Sequence, residues 1–155
     1  MTEFAAPNHN HALDEVSAII PDLFVHPISA QQSKEGEILK VLNGSYPLLR
    51  RFGSLEALRI QPREAMAMRM RLVADEVYAL LEGQILCAWL DLREGSSSYE
   101  RYVQSTFRDP TLLLAPFGVA LGLQAVDTPA FVLRVATHSQ KEQDDLRQVP
   151  WSRKA

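Results

Sequence analysis

Apolar and polar positions along the chain fall into short runs separated by turn chemistry, with few long stretches of helical period. The runs are Leu23 to Ile28, Glu37 to Leu42, Ser54 to Ile60, Asp75 to Leu81, Ile85 to Leu90, Tyr99 to Ser105, Thr111 to Ala115, Val119 to Val126 and Phe131 to Ala136. Between them stand Lys34-Glu35-Gly36, Asn43-Gly44, Glu82-Gly83, Glu94-Gly95-Ser96, Asp109-Pro110, Phe117-Gly118 and Asp127-Thr128-Pro129. Glycine and asparagine tolerate positive φ and proline presets a turn, so these are strand boundaries with a physical cause. Many short strands at this spacing predict an all-β sandwich or barrel. Ahead of them, Leu13 to Ile20 predicts a helical turn or two, stopped at Pro21, which lacks an amide donor.

One segment reads two ways. Arg63 to Leu81 is rich in Ala, Met, Arg, Leu and Glu, good helix formers, and Gly83 follows as a helix stop would. Yet Met66, Met68, Met70 and Leu72 alternate with period two, and Val77 to Leu81 adds an aromatic and a β-branched residue. The residues alone leave helix and strand open here.

Composition narrows the function classes. The 155 residues are 46% hydrophobic and 23% charged, which suits one globular domain. A net charge of −3, with Lys and Arg spread along the chain, argues against nucleic acid as a partner. Cys87 is the single cysteine, so no internal disulfide forms, and the expected location is a reducing cytoplasm. The first residues show no basic and apolar leader pattern, and no apolar run is long enough for a membrane span. Asn8, His9, Asn10 and His11 read as a solvated polar tail rather than a metal site. Residues 1–20 are thus expected to be a tail with a short helical segment, and 21–155 the domain.

Two stretches carry a family resemblance. Asp91-Leu92-Arg93-Glu94-Gly95-Ser96-Ser97-Ser98-Tyr99 and Pro116-Phe117-Gly118-Val119-Ala120-Leu121-Gly122-Leu123 resemble, in order and separation, two signatures of the dTDP-4-dehydrorhamnose 3,5-epimerases. Those signatures are Asp-hydrophobe-Arg leading to Ser-Pro-Thr-aromatic, and Pro-x-Gly-Phe-Ala-His-Gly-Phe. Lys34-Glu35-Gly36-Glu37 is similar to the family's early Asp-x-Arg-Gly, and Arg63-Glu64-Ala65-Met66 falls where the family has Arg-Gly-Leu-His. The resemblance implies a cupin jelly-roll β-barrel over roughly residues 22 to 152 and resolves the ambiguous segment as strand. It also implies a homodimer paired through the early strands.

The same alignment empties the family's active site. Epimerisation needs a base, an acid and a positive group near the enolate oxygen. Met66 stands at the base, Arg134 at the acid (Leu133 if the strand slips by one), Glu76 at the supporting lysine and Leu121 at a second histidine. The aspartate that orients the base has no counterpart before Ala155. Cupin metal chemistry is unsupported as well, since the histidines at 9, 11, 26 and 138 miss the inferred site. No cofactor is expected. Arg63 is the one retained family position, and by resemblance it reaches toward nucleotide-sugar phosphates; the alternative is a surface or interface ion pair.

The expected inward set is Met66, Met68, Met70, Tyr78, Cys87, Trp89, Leu121, Leu123 and Val132, leaving Arg69 and Arg71 on alternate positions toward solvent. Glu76 and Arg134 are expected to pair inside the mouth, because a lone buried charge is costly. The acidic stretch Gln140 to Arg147 reads as a solvated turn or short helix, and Trp151 as an anchor packed back on the barrel. The functional expectation is a non-catalytic or divergent member binding a nucleotide-sugar or carbohydrate through Arg63, Glu76, Tyr78 and Arg134, in polysaccharide or deoxysugar metabolism. Two alternatives stand beside it: an isomerase or epimerase with Glu76 as base and Tyr78 or Arg134 nearby, and a plugged barrel with a structural or interaction role.

Overall fold

A computed structural model describes residues 16–42, 51–62, 67–108, 110–140 and 144–151. Among the described residues, twelve strands follow one short helical turn, α1 (residues 16–19). In chain order they are β1 (Val25–Pro27), β2 (Ser29–Ser33), β3 (Gly36–Lys40), β4 (Ser54–Ile60), β5 (Met68–Arg71), β6 (Glu76–Glu82), β7 (Ile85–Asp91), β8 (Tyr102–Phe107), β9 (Thr111–Ala115), β10 (Val119–Ala125), β11 (Ala130–Ala136) and β12 (Leu146–Val149). They build two five-stranded antiparallel sheets, β1-β9-β6-β11-β4 and β12-β5-β10-β7-β8, with β2-β3 as a separate hairpin. This is the jelly-roll barrel. The ambiguous segment is strand on both sides of a turn, as β5 and β6.

Alternation along each strand sets three apolar layers. The central one lies between the sheets and holds Tyr78, Leu80, Cys87, Trp89, Leu121 and Val132, with Val16 and Ile20 of the α1 region packed into it. A second layer, including Val77, Ala79 and Leu112, covers the outer face of the first sheet beneath the β2–β3 hairpin. The third covers the outer face of the second sheet, where Met68, Ala88 and Ala120 pack with Met70, Tyr102 and Trp151.

Two expectations are overturned at this level. Met68 and Met70 lie in that outer layer and do not line the interior, because Leu121 of β10, which points inward, pairs with Arg69. Arg69 and Arg71 therefore face in. The stretch expected as a solvated turn runs into β12, whose residues pair with all four of β5, and Asp145 before it is buried. Strand β2 was likewise invisible, since Ser-Ala-Gln-Gln-Ser is polar and pairs only with β3.

Trp151 does pack back. Its ring carbons come within 2.8 Å of where a Cβ on Gly122 would lie, and its Nε1 donates to the Tyr102 hydroxyl at 3.0 Å. No helix among the described residues is long and apolar enough to cross a membrane.

Candidate functional site in the barrel mouth

The inward rows of β4, β5, β6 and β11 meet at one side of the barrel. Leu58, Ile60, Ala67, Arg69, Tyr78, Leu121, Leu123 and Arg134 line a cleft there with about 30 Å³ of free volume. That is room for roughly one or two waters, not for a sugar ring.

Glu76 is the centre of this site. Its carboxylate receives Arg69 Nε at 3.0 Å and Arg69 Nη2 at 2.7 Å, Arg71 Nη1 at 3.0 Å and the Tyr78 hydroxyl at 2.6 Å. The side chain is only 3% exposed. Burial alone would raise its pKa, but the hydrogen bond and charge of Arg69, with the Tyr78 hydroxyl, outweigh burial and hold it below the usual value. Glu76 is thus an ionised, fully engaged acceptor. Burial, reinforced by the Glu76 charge, pushes Tyr78 well up, so it stays a neutral phenol donating to that carboxylate.

Arg71 extends the network beyond the mouth. It donates from Nε to Asp145 Oδ1 at 2.7 Å and from Nη2 to the His138 carbonyl at 2.9 Å. The other oxygen of Asp145 accepts the amides of Val73 and Ala74. The buried Arg71 and half-buried Arg69 thereby neutralise two buried carboxylates, which is what permits charge inside the barrel.

The expected Glu76–Arg134 pair is not formed. Arg134 lies on β11 opposite Tyr78, facing inward, while Leu133 belongs to the outer layer. Its partner is Glu56 of β4, whose Oε1 receives Arg134 Nε at 3.0 Å and Nη2 at 2.7 Å. Arg69 of β5, which reaches both carboxylate oxygens of Glu76, has taken the place assigned to Arg134. Of the remaining residues expected to line the site, Leu121 and Leu123 border the cleft, whereas Cys87 and Trp89 are buried deeper. Burial pushes the Cys87 thiol well up. Arg63 and Met66 lie outside the described residues.

Sequence reasoning missed Glu56 and Asp145 altogether. A signal for Glu56 existed: Leu58 and Ile60 face in, so the residue two before Leu58 must too. Asp145 gave none. Among the described residues no group of three His, Cys, Asp or Glu side chains is placed to hold a metal ion.

The two signature stretches prove to be one structural unit beside this site. Asp91, wholly buried, accepts from the Arg93 amide and guanidinium and from Ser96 and Ser98. Burial opposes its charge, yet those donors hold the carboxyl far below the usual range. Gly118 has φ +83°, and a Cβ there would run into Arg93 Cγ. Its carbonyl accepts the Leu92 amide, and its own amide donates to the Arg71 carbonyl. The Asp91 and Pro116 motifs thus brace each other and the strand that carries Arg71.

Solved structures carry the same arrangement of strands. A dTDP sugar isomerase from Desulfovibrio desulfuricans G20 superposes with a TM-score of 0.76 at 24% identity, over 83% of this chain and 84% of that one. A dTDP-4-dehydrorhamnose 3,5-epimerase from Bacillus anthracis, solved with TDP and pyrophosphate bound, gives 0.74 at 15% identity, over 86% and 81%. The chain has the dTDP-4-dehydrorhamnose 3,5-epimerase fold. A third structure with this epimerase fold, from Legionella pneumophila in complex with dTDP-4-keto-L-rhamnose, gives 0.70 at 14% identity, over 81% and 71%. No protein-family model matches the chain, and no curated protein matches it.

Proposed function

We propose that the chain is a non-catalytic member of the epimerase-fold cupins that binds a nucleotide-sugar or related carbohydrate at the barrel mouth. The observation that carries this reading is the state of Glu76. A base must have a lone pair free to take a proton and a pKa near the working pH. Glu76 accepts four hydrogen bonds and has its pKa held down. Its one phenol neighbour, Tyr78, spends its proton on the same carboxylate. Binding is supported by Arg69 and Arg134 on the cleft wall, together with the TDP and dTDP-sugar found in solved structures of this fold.

A thermal-shift panel of TDP, TDP-glucose, UDP-glucose and free sugars tests binding, because a ligand that prefers the folded state raises its apparent stability. A shift with at least one nucleotide-sugar is expected. Solvent deuterium incorporation into a 4-keto sugar nucleotide tests catalysis, and none is expected. Exchange above background would make Glu76 or another group a working base and defeat the non-catalytic reading. The small free volume of the cleft favours a second reading, a plugged barrel with a structural role, and the absence of any shift across the panel would select it.

A further inference from the structure

The ion pair between Arg134 and Glu56 is unlike the others in the mouth. Glu76 and Asp145 are sealed against their arginines, whereas the Glu56 side chain is 51% exposed and Arg134 only 12%. Glu56 comes from β4, the edge strand of its sheet, so its carboxylate reaches Arg134 from the solvent side. Both Arg134 contacts fall on the single oxygen Oε1. Among the described residues no acceptor meets the remaining guanidinium nitrogen, Nη1. Beside Arg134 lie Tyr78 and Arg69 on an apolar floor of Leu58, Ile60 and Leu121.

We propose that Arg134 is the anion-recognising group of the cleft, and that Glu56 fills its fork as a displaceable stand-in for an anionic oxygen of the ligand. The proposal rests on the binding reading above and names the chemistry that reading requires. A planar guanidinium with two parallel donors selects a carboxylate or phosphoryl oxygen. The free volume of about 30 Å³ is room for one or two waters only, so the anionic group takes the place at the fork that the Glu56 carboxylate vacates, with the rest of the ligand outside. The oxyanion is supplied either by a diphosphate or by the carboxylate of a uronic sugar.

Glu56 competes for the same donors, so removing it raises the fraction of protein ready to bind. The test is titration calorimetry on wild type, Glu56→Ala, Arg134→Gln and Arg134→Lys, with TDP, UDP-glucuronate and glucuronate as probes. Glu56→Ala is expected to tighten binding by about three- to fivefold, the range set by an exposed pair. Both Arg134 variants are expected to weaken it about tenfold, Lys included because it lacks the fork. Tightening with TDP but not glucuronate assigns the diphosphate, and the converse assigns the carboxylate. Glu82→Ala, which removes the same charge at the far end of β6, must leave affinity unchanged. Melting curves establish that each variant is folded.

Binding by wild type that is indifferent to both Glu56→Ala and the Arg134 variants would overturn the proposal and leave the binding reading standing. So would equal tightening by Glu82→Ala, which would reduce the effect to net charge. No binding of any probe to any variant would overturn both.

Discussion

Arg71 and Asp145 form a 2.7 Å ion pair with both side chains almost wholly out of solvent, and this pair fastens the segment leading into β12 to the turn between β5 and β6. Replacing Asp145 by alanine would leave Arg71 with Glu76 as its one carboxylate, beside the His138 carbonyl, and strand the amides of Val73 and Ala74. Breaking a buried pair from one side is costly, so Asp145→Ala is expected to lose about 3 kcal/mol in urea unfolding. Asp145→Asn, which keeps an acceptor, is expected to lose less. Equal stability of wild type and Asp145→Ala would show that β12 is held by packing alone.

Glu76 and Tyr78 should be unequal in the same assay. Glu76→Gln leaves two arginines facing a neutral amide and is expected to cost about 3 kcal/mol. Tyr78→Phe removes one donor from an acceptor that keeps three others, an expected loss of about 1 kcal/mol. A larger loss for Tyr78→Phe would mean that the hydroxyl, not the arginines, anchors the carboxylate.

The contact between Gly122 and Trp151 predicts a coupled pair. Gly122→Ala would press a methyl group against the indole and cost about 1–3 kcal/mol. In a Trp151→Ala background the same change should cost far less, so the two losses should fail to add. Simple additivity in a double-mutant cycle would place the strain at Met68, whose Cγ is the next atom met.

Much of the barrel was written in local chemistry. The runs that became β4, β7, β9 and β10 are apolar and bounded by Gly or Pro turns, so each could be read without knowing its neighbours. The Asp91 and Pro116 motifs were legible because each is a compact loop device. The faces of β5 were not legible. Methionine is adaptable enough to fill an outer layer as readily as a core. Arg69 and Arg71 become inward residues only when Glu76 and Asp145 arrive to neutralise them, and Asp145 stands 74 positions from Arg71. Charge burial is a pairwise property, and a linear pattern records one partner at a time.

Acid should unfold the protein through these same carboxylates. Glu76, Asp91 and Asp145 all have folded-state pKa values below their usual ones. For a depressed carboxylate the stabilisation is complete above the unfolded-state value, near 4, and is lost as pH falls through the folded one. Stability is therefore expected to be level from about pH 7 to 5 and to drop steeply from about pH 4 downward. Asp91→Asn should lower stability at neutral pH and make that drop shallower. An unchanged acid limb in Asp91→Asn would show that Asp91 is not among the groups that drive it.

The span between Arg71 and Asp145 also bears on how fast the barrel forms. Strand pairs β4–β11 and β5–β12 join distant parts of the chain, so loop-closure entropy must be met before pairing returns any stability. Refolding on the millisecond-to-second scale follows from such topology. Until β12 docks, Arg71 lacks its second carboxylate, so a chevron on Asp145→Ala reads on which side of the rate-limiting step the mouth closes. A loss carried by the unfolding limb places β12 docking after that step, and one carried by the refolding limb places it in the transition state.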